Sequence, residues 1–95
     1  MADINDPLMY LIRKDNASTL GITGERLQRA LDALRAYEAQ HEDRGVAYLA
    51  LEKTASERLF AYIVQREACG LYLHDGILKE YQVPPRVYAR MGVTG

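Results

Sequence analysis

The longest apolar run in the chain is Leu59-Phe60-Ala61-Tyr62-Ile63-Val64, bounded by Ser56, Glu57 and Arg58 on one side and Gln65, Arg66 and Glu67 on the other. A surface helix shows an apolar stripe, but this run points apolar groups in every direction around a helix axis. It is therefore expected to be packed on several sides, with Phe60 and Ile63 in the core. Around it, Tyr48, Leu51, Ala55, Leu59, Tyr62, Arg66 and Cys69 recur at spacings of three or four, apolar except for Arg66. That periodicity predicts one helix over residues 46–69, ended by Gly70 as a left-handed C′ residue. Two other readings compete. A short strand over 46–51 would have no partner elsewhere. A capping box formed by Thr54 and Glu57 would split the helix in two.

The clearest helical stripe is Leu27, Leu31, Leu34 and Tyr37, with Arg26, Gln28, Arg29, Asp32, Arg35 and Glu38 mostly off it. With Thr23 as cap, it predicts a helix over 24–41 and a turn over 42–45. Before it, Asp6-Pro7 has the form of a helix start, and Leu8, Leu11, Ile12 and Leu20 give a face that stops at Gly21, predicting a helix over 7–20. After Gly70, Asp75 caps a short helix over 76–81. Pro84-Pro85 then blocks continuation, and a last short helix over 86–91 is closed by Gly92. The fold class is therefore all-α: two long antiparallel helices (24–41 and 46–69), an N-terminal helix packed across them, and two short C-terminal helices. A chain of 95 residues makes one domain, 1–95.

Charge narrows the function. The net charge is −1 and the sequence pI about 6.1, whereas a nucleic-acid-binding domain usually carries a basic excess. Cys69 is the single cysteine, which excludes an internal disulfide and a CxxC metal knuckle and fits a reducing compartment. The N-terminus MADINDPLMYLIRKD has acids where a secretory leader has bases, and no run approaches a membrane span. A cytoplasmic location is expected.

Each cluster with chemical capacity has a plainer reading beside it. Cys69 with His74 five residues on is the only nucleophile–base pair suggested, yet Cys69 falls on the core stripe, where cysteine packs as a small hydrophobe. Glu38, His41 and Glu42 share one helix face as metal ligands would, but no completing ligand is evident and a solvated helix end has the same pattern. Arg66 interrupts the apolar stripe, either as an interface arginine or as one whose stem packs while its head reaches solvent. The stretch ILKEYQVPPRVYARMG, residues 77–92, has the cadence of a helix-turn-helix presenting Arg86, Tyr88 and Arg90 to DNA. It has Gln82 where that turn often has glycine, and it is only weakly basic. Glycines are scattered rather than grouped into a phosphate loop. No catalytic, cofactor-binding or metal-ligating residue is expected.

At VQREACGL (residues 64–71), Tyr81, Val83-Pro84 and Ala89-Arg90-Met91-Gly92 the chain resembles a family of small alphaproteobacterial proteins of unknown function. Leu20-Gly21 and the segment RALDALRA (residues 29–36) fit the same pattern. In that family an Arg-Asp pair follows the Gly-Leu, and a glycine precedes the Ile/Val-Pro; this chain has Tyr72-Leu73 and Gln82 there. The resemblance implies a shared fold and no activity.

The expectation is thus a non-enzymatic helical protein that acts by association with itself or a protein partner. A helix over 46–69 would be about 36 Å long, longer than a globular domain of radius of gyration about 12–13 Å covers. Its 46–51 end should stand exposed, making Val46, Tyr48, Leu49 and Leu51 candidate interface residues, with Arg66 added as the arginine that interrupts the stripe, in a homodimer built on the two long helices. The alternative is a DNA-binding regulator using residues 77–92, with Arg86, Tyr88 and Arg90 as contacts.

Overall fold

The leucine stripe of the first half of the chain does not begin a helix at residue 24; it continues one. In the computed structural model, which describes residues 7–91, α1 (Pro7–Gln40) runs unbroken for 34 residues. The expected stop at Gly21 fails because Thr23 is not a cap. Its hydroxyl donates back to the carbonyls of Leu20 (2.9 Å) and Thr19 (3.1 Å), a bond threonine makes inside a helix. Gly24, the expected first helical residue, instead lets two aromatic rings come close. A Cβ there would lie 2.9 Å from Tyr81 Oη and 3.2 Å from Tyr62 Cε1. The separate N-terminal helix laid across the others is thus replaced by an unbroken extension of α1. The expected cap at Asp6 and stop at Gly92 lie outside the described residues.

A turn over 41–45 leads into α2 (Val46–Ala68), a single helix with no break at Thr54. The turn is tied by Asp43, whose carboxylate accepts from Tyr37 Oη (2.8 Å) and from the Gly45 amide (3.3 Å). α2 runs antiparallel to α1, so its far end reaches Asn16, whose carbonyl accepts from Gln65 Nε2 (3.3 Å) and faces Cys69 Sγ at 3.6 Å. At 1.5 Å per residue α1 is about 51 Å long and α2 about 35 Å. The part of α1 before Asn16 therefore runs past the hairpin, with Leu8 and Leu11 exposed. The molecule measures 55 × 23 × 21 Å with a radius of gyration of 16.0 Å, against about 12 Å for a globular chain of this length. At the 46–51 end of α2 Val46 and Leu49 are exposed, but the end that projects is the opposite end of the hairpin, because α1 is the longer helix.

The core is a ladder between the two long helices. Leu27, Leu31 and Leu34 of α1 meet Tyr48, Ala55, Leu59 and Tyr62 of α2, and Ile77 and Val87 of the C-terminal pieces close one side. Those pieces are α3 (Asp75–Glu80) and α4 (Pro85–Met91), the two short helices expected. The run 59–64 divides between two faces. Leu59 and Tyr62 point inward and Ile63 is half-buried against the core, whereas Phe60 is 55% exposed and Val64 also stands out. The expectation of a buried Phe60 fails because α2 has too few neighbours: α1 and α4 pack on its inner side, and no described element lies over the outer one. Among the described residues no strand is present and no helix is long and apolar enough to cross a membrane.

Two helix ends share one geometry. α2 stops as expected at Gly70, with φ +83°; the Gly70 amide donates to Glu67 O (3.0 Å) and the Leu71 amide to Arg66 O (2.9 Å). This pair of bonds is the Schellman motif. α3 repeats it with Gln82 at the left-handed position, φ 52°: the Gln82 amide donates to Lys79 O (3.1 Å) and the Val83 amide to Leu78 O (2.9 Å). Arg35 of α1 completes that end by donating through Nη2 to the carbonyls of Tyr81 and Gln82, both at 2.7 Å.

Candidate functional site

The polar groups converge at the turn end of the hairpin, where α4 docks. Arg86 of α4 donates to Glu38 Oε2 of α1 at 2.8 Å, and Arg44 Nη2 approaches the same oxygen at 3.8 Å. Both guanidinium carbons lie over the ring of Tyr48, Arg44 at 4.5 Å and Arg86 at 5.1 Å, a cation–π arrangement that covers the ring. One turn further, Arg90 Nη1 lies 3.4 Å from Oε1 of the buried Glu52. Electrostatics agree with the geometry. The hydrogen bond to Glu38 raises the Arg86 guanidinium above its usual value. Burial raises the Tyr48 phenol. The Tyr37 hydroxyl holds the Asp43 carboxyl below the usual carboxylate range.

This arrangement assigns the candidate DNA contacts an internal role. Arg86 and Arg90 are turned to carboxylates of α1 and α2, although the Arg86 side chain remains half-exposed at the surface, as Tyr88 does. The candidate interface residues also separate. Val46 and Leu49 are exposed, but Tyr48 is 2% exposed, being held under the two arginines, and Leu51 is half-buried against the core. Arg66 is engaged within the chain as well: Nη2 donates to Leu73 O at 2.8 Å and Nε to His74 Nδ1 at 3.3 Å, pinning the loop after α2.

The other suggested chemistry is not assembled. His74 is taken by Arg66 and by Glu67 Oε2 at 3.4 Å, while Cys69 faces Asn16 and Gln65. Glu38 turns to Arg86, and His41 stacks on Tyr37 with ring centroids 4.1 Å apart. Among the described residues no three His, Cys, Asp or Glu side chains are placed to hold a metal. An open depression of about 330 Å³, lined by Arg66, Gly70, Leu71, Tyr72 and Leu73, is mostly apolar.

Exposed apolar groups gather at Leu71, Tyr72 and Leu73 after α2 and along one face of α2 itself. Val46, Leu49, Lys53, Glu57, Phe60 and Val64 follow at spacings of 3, 4, 4, 3 and 4 and are all exposed. At about 100° per residue they fall within an arc of roughly 80°. Sequence reading places the Val46 end of this stripe at the surface but its Phe60 end in the core. The regular 3–4 spacing was the available signal. The pairings of Glu38 and Glu52 with α4 had no such signal, since their arginines lie 48 and 38 residues away.

Comparison with curated proteins and with solved structures finds no match to this chain. The profile of a family of unknown function, DUF6665, matches residues 5–95, and the chain belongs to that family.

Proposed function

We propose that this chain is a non-enzymatic, cytoplasmic protein that acts by protein–protein association through the outward face of α2. The observation that supports this reading is the exposure of Val46, Leu49, Phe60 and Val64 on one stripe of a helix whose opposite side is fully used by the core. Large apolar side chains grouped on one exposed face mark contact surfaces more often than isolated ones do. The single cysteine suits a reducing interior. DNA binding draws less support, because Arg86 and Arg90 would have to leave Glu38 and Glu52 to reach phosphates.

The test is affinity capture from the cells that make the protein, with wild type and Phe60→Glu as parallel baits and a differently tagged second copy scored among the retained species. Phe60 is exposed, so the variant keeps the fold, which circular dichroism verifies. Species held by the wild type and lost with Phe60→Glu support the reading. Identical retention by both baits, or none by either, refutes it.

A further inference from the structure

We infer that the outward stripe of α2 pairs with the same stripe of a second copy of this chain, antiparallel and about a two-fold axis. The inference rests on the association reading and names the partner.

The stripe is close to self-complementary when reversed. Val46 and Val64 lie nine residues to either side of Ala55, and Lys53 and Glu57 lie two to either side. A two-fold axis over that point sets Val46 of one copy against Val64 of the other and Lys53 against Glu57, twice each. Phe60 then falls opposite Ala50 of the second copy, where a small side chain leaves room for the ring, and Leu49 falls beside Ala61. A closed two-fold interface requires such reciprocity, with each residue meeting its counterpart's partner. A parallel pairing in register would set Lys53 against Lys53 and Glu57 against Glu57.

The charges favour this occupant. Lys53 and Glu57 are exposed and, among the described residues, neither has an ion-pair or hydrogen-bond partner, a state shared by other surface charges such as Arg58 and Lys79; what sets these two apart is their reciprocal placement on the stripe. They sit at i and i+4 with lysine first, the less favourable order for pairing within one helix. Across the two-fold axis both are satisfied. The contact extends about 27 Å from Val46 to Val64. One helix pair of that length is small for a specific interface, so the dimer is expected to have a micromolar Kd.

Sedimentation equilibrium of the full chain tests this with wild type, Lys53→Glu, Glu57→Lys and an equimolar mixture of the two variants. The wild type should show a monomer–dimer equilibrium. Each variant alone places like charges opposite each other at two points and should raise Kd at least about tenfold. The mixture should recover dimer, because the two acids carried by Lys53→Glu then face the two bases carried by Glu57→Lys, restoring an opposite-charge pair at both points. Both sites are exposed, so helicity should not change. A wild type that is monomeric at high micromolar concentration overturns the inference, as does a mixture no more dimeric than the single variants. If the wild type is monomeric but still captures partners that Phe60→Glu loses, self-pairing alone is overturned. If capture is also insensitive to Phe60→Glu, the association reading falls with it.

Discussion

Replacing Gln82 with glycine should make this protein more stable. Gln82 holds φ at 52° at the end of α3, in the left-handed region. For an L residue with a Cβ that conformation costs about 1–2 kcal/mol. Glycine adopts it freely but gains freedom in the unfolded chain, which returns roughly 0.5–1 kcal/mol of the advantage. The side chain of Gln82 is exposed and makes none of the contacts described above; the bonds at this end all belong to the backbone. Its amide donates to Lys79 O, and its carbonyl accepts from Arg35. A glycine keeps each of them. The net expectation is a gain of about 0.5–1 kcal/mol, equivalent to roughly 2–8 °C in Tm for a domain of this size. Thermal and urea unfolding followed by circular dichroism at neutral pH measure it, at a fixed protein concentration so that any self-association is held constant. A β-branched control, Gln82→Val, should be destabilising, because branching at Cβ worsens the same strain. A lower midpoint for Gln82→Gly would refute the reasoning, and would mean that the glutamine side chain supports the α3–α4 turn.

Gly70 is the converse case: with φ +83° at the end of α2, Gly70→Ala should lower stability by about 1 kcal/mol. An unchanged urea midpoint would show that the chain past α2 readjusts at no cost. Tyr48→Phe should leave stability unchanged or raise it by up to about 1 kcal/mol. The buried Tyr48 hydroxyl has no hydrogen-bond partner while its ring stays under Arg44 and Arg86, and an unsatisfied buried hydroxyl is unfavourable. A loss of stability in the same assay would contradict this. Tyr81 gives a pH dependence: burial, with the Tyr62 hydroxyl second, pushes its phenol up to about 12 from an ordinary value of 10.0. A raised folded-state value stabilises below the unfolded value and is lost as pH rises through the folded one. Stability should therefore decline between about pH 10 and 12, and Tyr81→Phe should flatten the decline. An equal alkaline decline in both proteins would refute this.

What could be read from the sequence follows from how far apart the interacting residues lie. Gly70 was legible because a glycine after a helical stripe is itself the signal for a left-handed stop. Gln82 occupies the same backbone position in the same motif, but glutamine carries no such signal. Gly21 and Thr23 misled for the opposite reason. Both residue types suit a helix boundary, yet α1 passes through them unbroken, with Leu27, Leu31 and Leu34 in the core and Gly24 close against Tyr62 and Tyr81. The basic residues of α4 looked available for phosphates only because Glu38 and Glu52 are remote in sequence.

Phe60 shows the limit of periodicity. Six successive apolar residues fit a helix surrounded by neighbours, and they fit equally a helix with one buried face and one exposed apolar face. The two cases differ in how many partners the rest of the chain supplies. Had residues 7–20 formed a separate helix packed across the hairpin, as the apparent stop at Gly21 suggested, α2 would have had a further neighbour. The Thr23 back-bonds and the continuous course of α1 remove that neighbour and carry residues 7–15 past the end of α2 instead. The misplaced break and the misplaced phenylalanine are therefore one error: once α1 is a single helix, nothing in the described chain remains to cover Phe60 and Val64. That uncovered face carries the proposal of association. The near-symmetry of Val46, Lys53, Glu57 and Val64 about Ala55 is what directs it toward a second copy rather than an unrelated surface, because a foreign partner has no need of a stripe that reads alike from both ends.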